Sequence, residues 1–291
     1  MRLANTCKRP RAVRPVCRIL LFALLLISGA TLAWAWGDLA HQMVNAAAIE
    51  NLPEPLRSYF QARRQYLLEH ASEPDEVAHA SPEERPHHYT EINGYSRPPF
   101  RAFQRRFVTQ HWNPPSSQCT HGDSIWQIEA YSQRLSDDMR RRRWQDADHD
   151  AIYVAHYAAD LTQPLHTVTN YDGQETNQRG IHARFETELV RDLAGNWKLR
   201  PERAAVVNDL RAEIFRVLLE SYAQADGVFS ADRTAAAGGY LAPQFMPRFE
   251  KLAGPVALRQ MNEASGLVSS LWLTAWVEAG KPALPRRHPA H

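Results

Sequence analysis

Imidazole and carboxylate dominate the chemistry this 291-residue sequence offers, with thirteen histidines and only three cysteines. The densest pattern lies between His156 and Glu186. His156 and Asp160 are four residues apart, as are His182 and Glu186, and His166 falls between the pairs in Gln163-Pro164-Leu165-His166. Residues four apart on a helix stack on one face, so each pair presents an imidazole beside a carboxylate. One such pair is an ordinary helix-surface ion pair. Two pairs plus a third histidine within 31 residues form a nitrogen and oxygen ligand set without thiolate, which suits zinc.

The elements that must hold these groups read as helices. Ile125, Ile128, Leu135 and Met139 make an apolar stripe that ends in Arg140 to Arg143, a basic run expected as a solvated helix C-terminus rather than a phosphate patch. A helix is predicted over 148–161, with Ile152, Ala155 and Ala159 on one face and Pro164 as its stop. Gly180 opens the helix that carries His182 and Glu186. Further helices are predicted over 181–193, 201–223 and 256–280, with loops over 74–86, 98–122 and 170–180. No alternating run of β-branched residues separated by turn signals appears. The expectation is an all-α fold, a single-domain multi-helical bundle.

The first 35 residues hold six basic residues and no acid, then an apolar run from Ile19 to Ala33, then Ala33-Trp34-Ala35. That is the layout of a secretory signal peptide cleaved before Trp36, and as a lone anchor the run is short against the ~20 residues of a membrane span. The expected organisation is therefore 1–35 signal peptide, 36–281 catalytic domain and 282–291 frayed tail. The product would be exported to the periplasm or beyond, with no transmembrane span and no predicted stable protein partner. Removal of the leader takes Cys7 and Cys17, leaving only Cys119 and no internal disulfide. It also leaves 28 basic against 32 acidic residues, a net charge of −4, which gives no general steering toward polyanions.

Other segments fit the ligand pattern. Trp36 would be the new N-terminus in Trp36-Gly37-Asp38-Leu39-Ala40-His41, Asp75 lies in Ser72-Glu73-Pro74-Asp75-Glu76, and His88 in His87-His88-Tyr89. With these, and with His156-Tyr157-Ala158-Ala159-Asp160-Leu161-Thr162-Gln163-Pro164-Leu165-His166 as its most specific piece, the sequence from about Trp36 to Leu189 resembles a known superfamily. It is that of zinc-dependent phospholipase C and the single-strand-specific nucleases with 3′-nucleotidase activity. The resemblance implies an all-helical fold around a trinuclear zinc site. Asp75, His88, His156 and Asp160 would hold one ion, and His166, His182 and Glu186 a second. The free amine and carbonyl oxygen of Trp36, with His41 and a shared Asp160, would hold the third. His88 is preferred to His87 because the family pattern is histidine followed by an aromatic. His70, His79, His111, His121 and His149 are expected at the surface or beside the site, and Trp126 in the core.

Adjacent zinc ions lower the pKa of a bridging water toward about 7, so hydroxide is available at neutral pH to attack phosphorus in line. Asp75 is the candidate catalytic residue, orienting or deprotonating that nucleophile. Tyr89 is the candidate substrate contact, stacking on a base or lining an acyl-glycerol pocket. The substrate motifs are mixed. The Trp36-to-His41 spacing and Asp75-Glu76 look nuclease-like. Gly180-Ile181-His182 with Glu186 looks phospholipase-like, and Tyr171-Asp172-Gly173-Gln174 stands where the nucleases carry Gly-Gly-Asn. An enzyme of phospholipase C type is preferred, with a nuclease/3′-nucleotidase as the alternative and a non-catalytic zinc-stapled binding module as a third reading.

Overall fold

In the computed structural model, which describes residues 36–115 and 118–285, five long helices carry the architecture. They are α1 (Asp38–Asn51), α2 (Ser124–Arg141), α3 (Trp144–Thr162), α4 (Leu210–Ala235) and α5 (Phe245–Glu278). Shorter helices fill the stretch between α1 and α2 and the stretch between α3 and α4, and no strand occurs among the described residues. The signal peptide expected over 1–35, with Cys7 and Cys17, and the tail residues 286–291 lie outside the described residues.

The helix bearing His156 and Asp160 is the most enclosed. Every residue of α3 from Asp150 to Thr162 is buried, the condition of a helix surrounded by others rather than lying on a surface. Ala151, Ala155, Ala158 and Ala159 keep its girth small so that neighbours approach closely. α2 joins α3 through a two-residue turn in which Arg142 takes a left-handed conformation, φ 59°, making a helical hairpin. From α5, the Trp272 indole donates to the Ala151 carbonyl at 3.0 Å and the Gln260 amide donates to the Thr162 carbonyl at 2.6 Å. The second bond satisfies a carbonyl that the end of α3 would otherwise leave free. At the other end, Arg63 donates to Asp148 at 2.8 Å and the Tyr59 hydroxyl donates to the same carboxylate at 2.6 Å, all three buried. α3 is thus gripped at both ends and cannot shift its ligands without breaking buried polar bonds.

Several boundaries differ from the sequence expectation. The loop expected over 74–86 contains the helix Glu73–Ala80, with Pro74 in its first turn, where the missing N–H costs nothing. The loop expected over 98–122 contains a helix Arg101–Gln104 running into a π turn Arg105–Thr109. The helix expected over 201–223 begins at Leu210, where Asp209 caps it by accepting from the Ala212 amide at 3.0 Å. Residues 200–209 are instead an extended strap over α5. Its backbone amides at Ala205 and Val207 donate to Ser270 and Thr274 of that helix, and its carbonyl at Glu202 accepts from Asn51. Tertiary hydrogen bonds have replaced helical ones. α5 in turn starts at Phe245 and runs through Pro255 rather than starting after it. The run Arg140 to Arg143 ends α2 in ion pairs, Arg140 with Asp137 and Arg143 with Asp138. Trp126 is buried, its indole donating to the Trp112 carbonyl at 3.0 Å. Cys119 is a free thiol. No helix among the described residues is long and apolar enough to cross a membrane.

Candidate metal centre

The candidate ligands come from six separate pieces of chain. His41 comes from α1, Asp75 from the helix Glu73–Ala80, and His88 from a 3₁₀ turn Arg85–His88. His156 and Asp160 come from α3, and His166 from a second 3₁₀ turn, Pro164–Thr167, set by the proline that stops α3. His182 and Glu186 straddle a short helix, Ile181–Ala183, and the π turn Arg184–Glu188 that follows. A π turn is rare and concentrates at functional sites. Gly180 enters this segment at φ 83°, a left-handed conformation that glycine adopts freely.

These side chains converge into three groups whose donor atoms lie within 4.8 Å of one another: His41, His156 and Asp160; Asp75, His88 and His156; His166, His182 and Glu186. All are buried. Asp160 faces two ways. One oxygen lies 3.4 Å from His41 Nε2, and the other lies 3.0 Å from His88 Nδ1 and 3.4 Å from His156 Nε2. Asp75 Oδ1 stands 3.4 Å from His88 Nδ1 and 3.6 Å from His156 Nε2. In the third group Glu186 is 3.0 Å from His182 Nε2 and 3.7 Å from His166 Nε2. His87, by contrast, pairs its Nδ1 with Asp123 at 2.7 Å, so His88 and not its neighbour enters the cluster.

The hydrogen bonds around the cluster fix which nitrogen faces inward. His156 Nδ1 donates to the Ala71 carbonyl at 2.9 Å, His166 Nδ1 to the His88 carbonyl at 2.7 Å, and His182 Nδ1 to the Tyr171 carbonyl at 3.0 Å. A carbonyl only accepts, so in its neutral form each ring carries its proton on Nδ1 and turns the Nε2 lone pair toward the centre. Two such nitrogens, of His166 and His182, then stand 3.2 Å apart. Facing lone pairs at that distance repel unless a cation or a shared proton sits with them. Of the nine buried side-chain nitrogen and oxygen atoms without a hydrogen-bond partner among the described residues, five belong to this cluster: His41 Nε2, Asp75 Oδ1, His88 Nε2, Asp160 Oδ1 and Glu186 Oε1. Buried polar atoms are rarely left unpaired. Backbone-anchored imidazoles beside carboxylates with free oxygens are the donor set that zinc takes.

Protonation follows from the same crowding. Burial opposes a charge on His156, but Asp160 and Asp75 outweigh it and raise its pKa to about 9. Burial alone would push the Asp160 carboxyl up, yet His156, His41 and His88 hold it well below the usual carboxylate range. Glu186 is likewise lowered, against burial, by His182, which Glu186 raises in return. His41 goes the other way, lowered by burial and by His156, whose ring stacks on it at 4.0 Å.

Trp36 is fully buried against this centre. Its indole donates to the Ala159 carbonyl at 3.0 Å, one residue before Asp160, and its ring lies 5.7 Å from Phe185. Tyr89 follows His88 at the rim, and Tyr171, half-exposed, sets its ring edge-on to His182 at 6.0 Å.

The chain matches the S1/P1 nuclease family model over residues 36–197, more than half its length and all of the residues just described. This protein belongs to the S1/P1 nuclease family. No curated protein matches it. Members of the S1/P1 nuclease family are zinc-dependent hydrolases of phosphodiester bonds within the superfamily that also holds zinc-dependent phospholipase C. The three buried donor groups accordingly fit zinc.

Three supporting residues escaped sequence reasoning. Gln163 donates to Glu186 at 3.0 Å while its own oxygen accepts from the Leu165 amide. Tyr157 donates its hydroxyl to Glu84, and that carboxylate lies 4.0 Å from the unpartnered Nε2 of His88. Tyr157 and Gln163 sit inside the motif run, but Glu84 lies in a stretch that reads as loop, four residues before its histidine.

Two outcomes follow. At pH 7 His156 holds a proton in the metal-free protein, because its pKa of about 9 lies above that pH, and zinc must displace it. Zinc added at pH 7 should release at least one proton per chain, read in weakly buffered solution with an indicator dye, and affinity should fall as pH drops below 9; uptake without proton release contradicts the assignment. Glu84→Ala should weaken zinc binding by about 10- to 100-fold, the usual effect of losing a carboxylate behind a ligating imidazole. Chelator competition measures it, and Tyr157→Phe should show a smaller loss.

Proposed function

We propose that this chain is an exported single-strand-specific nuclease with 3′-nucleotidase activity, built as a catalytic domain over 36–281 behind a signal peptide over 1–35. The observation that carries the substrate choice is the pair of rim tyrosines. Tyr171 sets its ring edge-on to His182 at 6.0 Å, and Tyr89, next to His88 in sequence, has its hydroxyl pKa raised by burial, Glu91 and Tyr171, which puts it in the neighbourhood of that ring. Flat rings beside a phosphodiester-cleaving centre suit unstacked bases, which each give about 1–3 kcal/mol on an aromatic. The superfamily to which the family belongs covers both substrate classes. Phospholipid remains the second reading because Gly180-Ile181-His182 with Glu186 is phospholipase-like, and the nuclease Gly-Gly-Asn is replaced by Tyr171-Asp172-Gly173-Gln174.

The residue roles proposed for this site follow the donor groups. Asp75, His88, His156 and Asp160 hold one zinc; His166, His182 and Glu186 a second; Trp36, His41 and Asp160 a third. When bound, zinc supplies Lewis acidity and makes water available as a nucleophile near neutral pH. Asp75 orients that water through its free Oδ1, which is buried within the cluster, and takes up its proton. Attack on phosphorus forms one P–O bond as the bond to the leaving alkoxide breaks, yielding a phosphomonoester and an alcohol. Tyr89 and Tyr171 hold the base on the leaving side. Gln163 and the backbone carbonyls of Ala71, His88 and Tyr171 keep the imidazoles and Glu186 from turning during the step.

Purified protein beginning at Trp36 should cleave single-stranded DNA and RNA, and dephosphorylate a 3′-mononucleotide, at least tenfold faster than it releases phosphocholine from phosphatidylcholine dispersions. The reverse order would install the phospholipid reading. A second comparison tests the Trp36 ligand. The peptide nitrogen of an extended chain has no lone pair to donate, so one extra alanine ahead of Trp36 should cost one zinc per chain by elemental analysis and most of the turnover. Matching zinc content in the two forms would remove Trp36 from the ligand set.

A further inference from the structure

Between Glu91 and Asp123 the sequence runs for 31 residues without an acidic side chain, while carrying Arg97, Arg101, Arg105 and Arg106. A segment of charge +4 is thus set in a chain that, from Trp36 onward, is otherwise strongly acidic: 24 basic residues against all 32 acids. Its placement is as uneven as its composition. Arg97, Arg101 and Arg105 are exposed and make no ion pair among the described residues, and the sequence around them offers no acid; Arg216, by contrast, is held by Glu213, Glu220 and Glu263. Phe103 and Phe107 anchor the segment from below. Arg101 and Arg105, four apart, are left outside on the short helix and the π turn that continues it. Arg106 lies over the half-buried Trp112 ring at 3.7 Å.

The segment is fastened both to the bundle and to the wall of the metal centre. Arg211 of α4 donates to the Phe107 carbonyl at 2.9 Å. Tyr95 donates to the Gly122 carbonyl at 2.5 Å and stacks on Phe103 at 5.2 Å. Upstream, the Thr90 amide donates to the carbonyl of His166, and Asn93 is paired with Thr169 through two hydrogen bonds at 2.9 and 3.0 Å. The basic segment therefore leaves the rim directly from residues bonded to the loop that bears a ligand.

We propose that Arg97, Arg101 and Arg105 form an extended binding surface for the phosphate backbone of a single-stranded nucleic acid whose scissile bond sits at the zinc centre. This rests on the nucleic-acid reading above. Unpaired guanidinium groups on a pinned scaffold meet phosphates without first giving up an internal partner, and arginine matches phosphate oxygens in a fork. The surface serves strands long enough to reach past the reacting bond; a dinucleotide ends before it.

The test is the salt dependence of kcat/KM for zinc-loaded protein on a 12-nucleotide oligothymidylate and on a thymidine dinucleotide. Each phosphate contact on a single strand adds about 0.7 to the slope of log(kcat/KM) against log[NaCl]. The R97Q/R101Q/R105Q variant should lose about 2 from the 12-mer slope, so that between 50 and 200 mM NaCl the wild type declines roughly 20-fold more than the variant. Dinucleotide turnover and zinc content should be unchanged, and R97K/R101K/R105K should restore the slope. Equal 12-mer slopes for the wild type and the glutamine variant overturn the proposal. So does a variant that keeps its 12-mer slope but loses binding to phosphatidylglycerol vesicles, which would make the surface a membrane dock. A wild type that cleaves neither oligonucleotide overturns the substrate reading instead.

Discussion

The structure is organised by one electrostatic constraint: carboxylates and imidazoles are held out of water at contact distance, with more lone pairs than protons to separate them. Asp160 is completely buried and touches His41, His88 and His156. Burying a charge costs several kcal/mol unless partners repay it, and here the partners are themselves electron donors, one of which, His156, has its outer proton committed to the Ala71 carbonyl. Protons relieve part of the conflict, which is why His156 is driven to about 9 while Asp160 stays ionised. Divalent cations relieve all of it. The rest of the fold can be understood as what keeps six pieces of chain in place against their mutual repulsion before those cations arrive. An enclosed central helix gripped at both ends does that better than any surface element.

What was legible in the sequence reflects which parts of this arrangement are local. His156 with Asp160, and His182 with Glu186, are helix neighbours, and Pro164 stops α3 so that His166 turns back toward it; spacing alone carries those facts. The enclosure of α3 and the convergence of Asp75, His88 and His41 on it are tertiary, and only the resemblance reached them. Boundaries went astray where long-range polar bonds outweigh propensity. Residues 200–209 have helical composition, but Ser270, Thr274 and Asn51 offer their backbone better partners than the next turn would. Glu84 was invisible for a related reason: its partners, Tyr157 and His88, come from two different elements.

Net charge was the least informative global quantity, and the structure explains why. Screening limits exposed charges to about 8–10 Å at ordinary salt, so a substrate arriving at the rim senses the groups near it and not the chain's sum. Many acids are spent locally, on arginines along α2, α4 and α5 and within the metal cluster. The stretch 92–122 carries four arginines and no acid at all. A chain that is acidic overall can in this way present a basic approach to its reacting centre.

In the proposed three-ion site, residue 36 would separate building the site from completing it. The Trp36 side chain is anchored by its indole bond to Ala159 and by Phe185, contacts that involve neither the residue's amine nor its carbonyl. They hold residue 36 beside Asp160 whatever precedes it in sequence. The ring therefore does the positioning, and the chemical state of the nitrogen decides only whether that position offers a donor. A small residue here would lose the anchor, so that even a free amine would be poorly placed. A large apolar side chain that reaches the α3 carbonyl is what a terminal ligand needs if its backbone is to be as well fixed as a histidine on a helix.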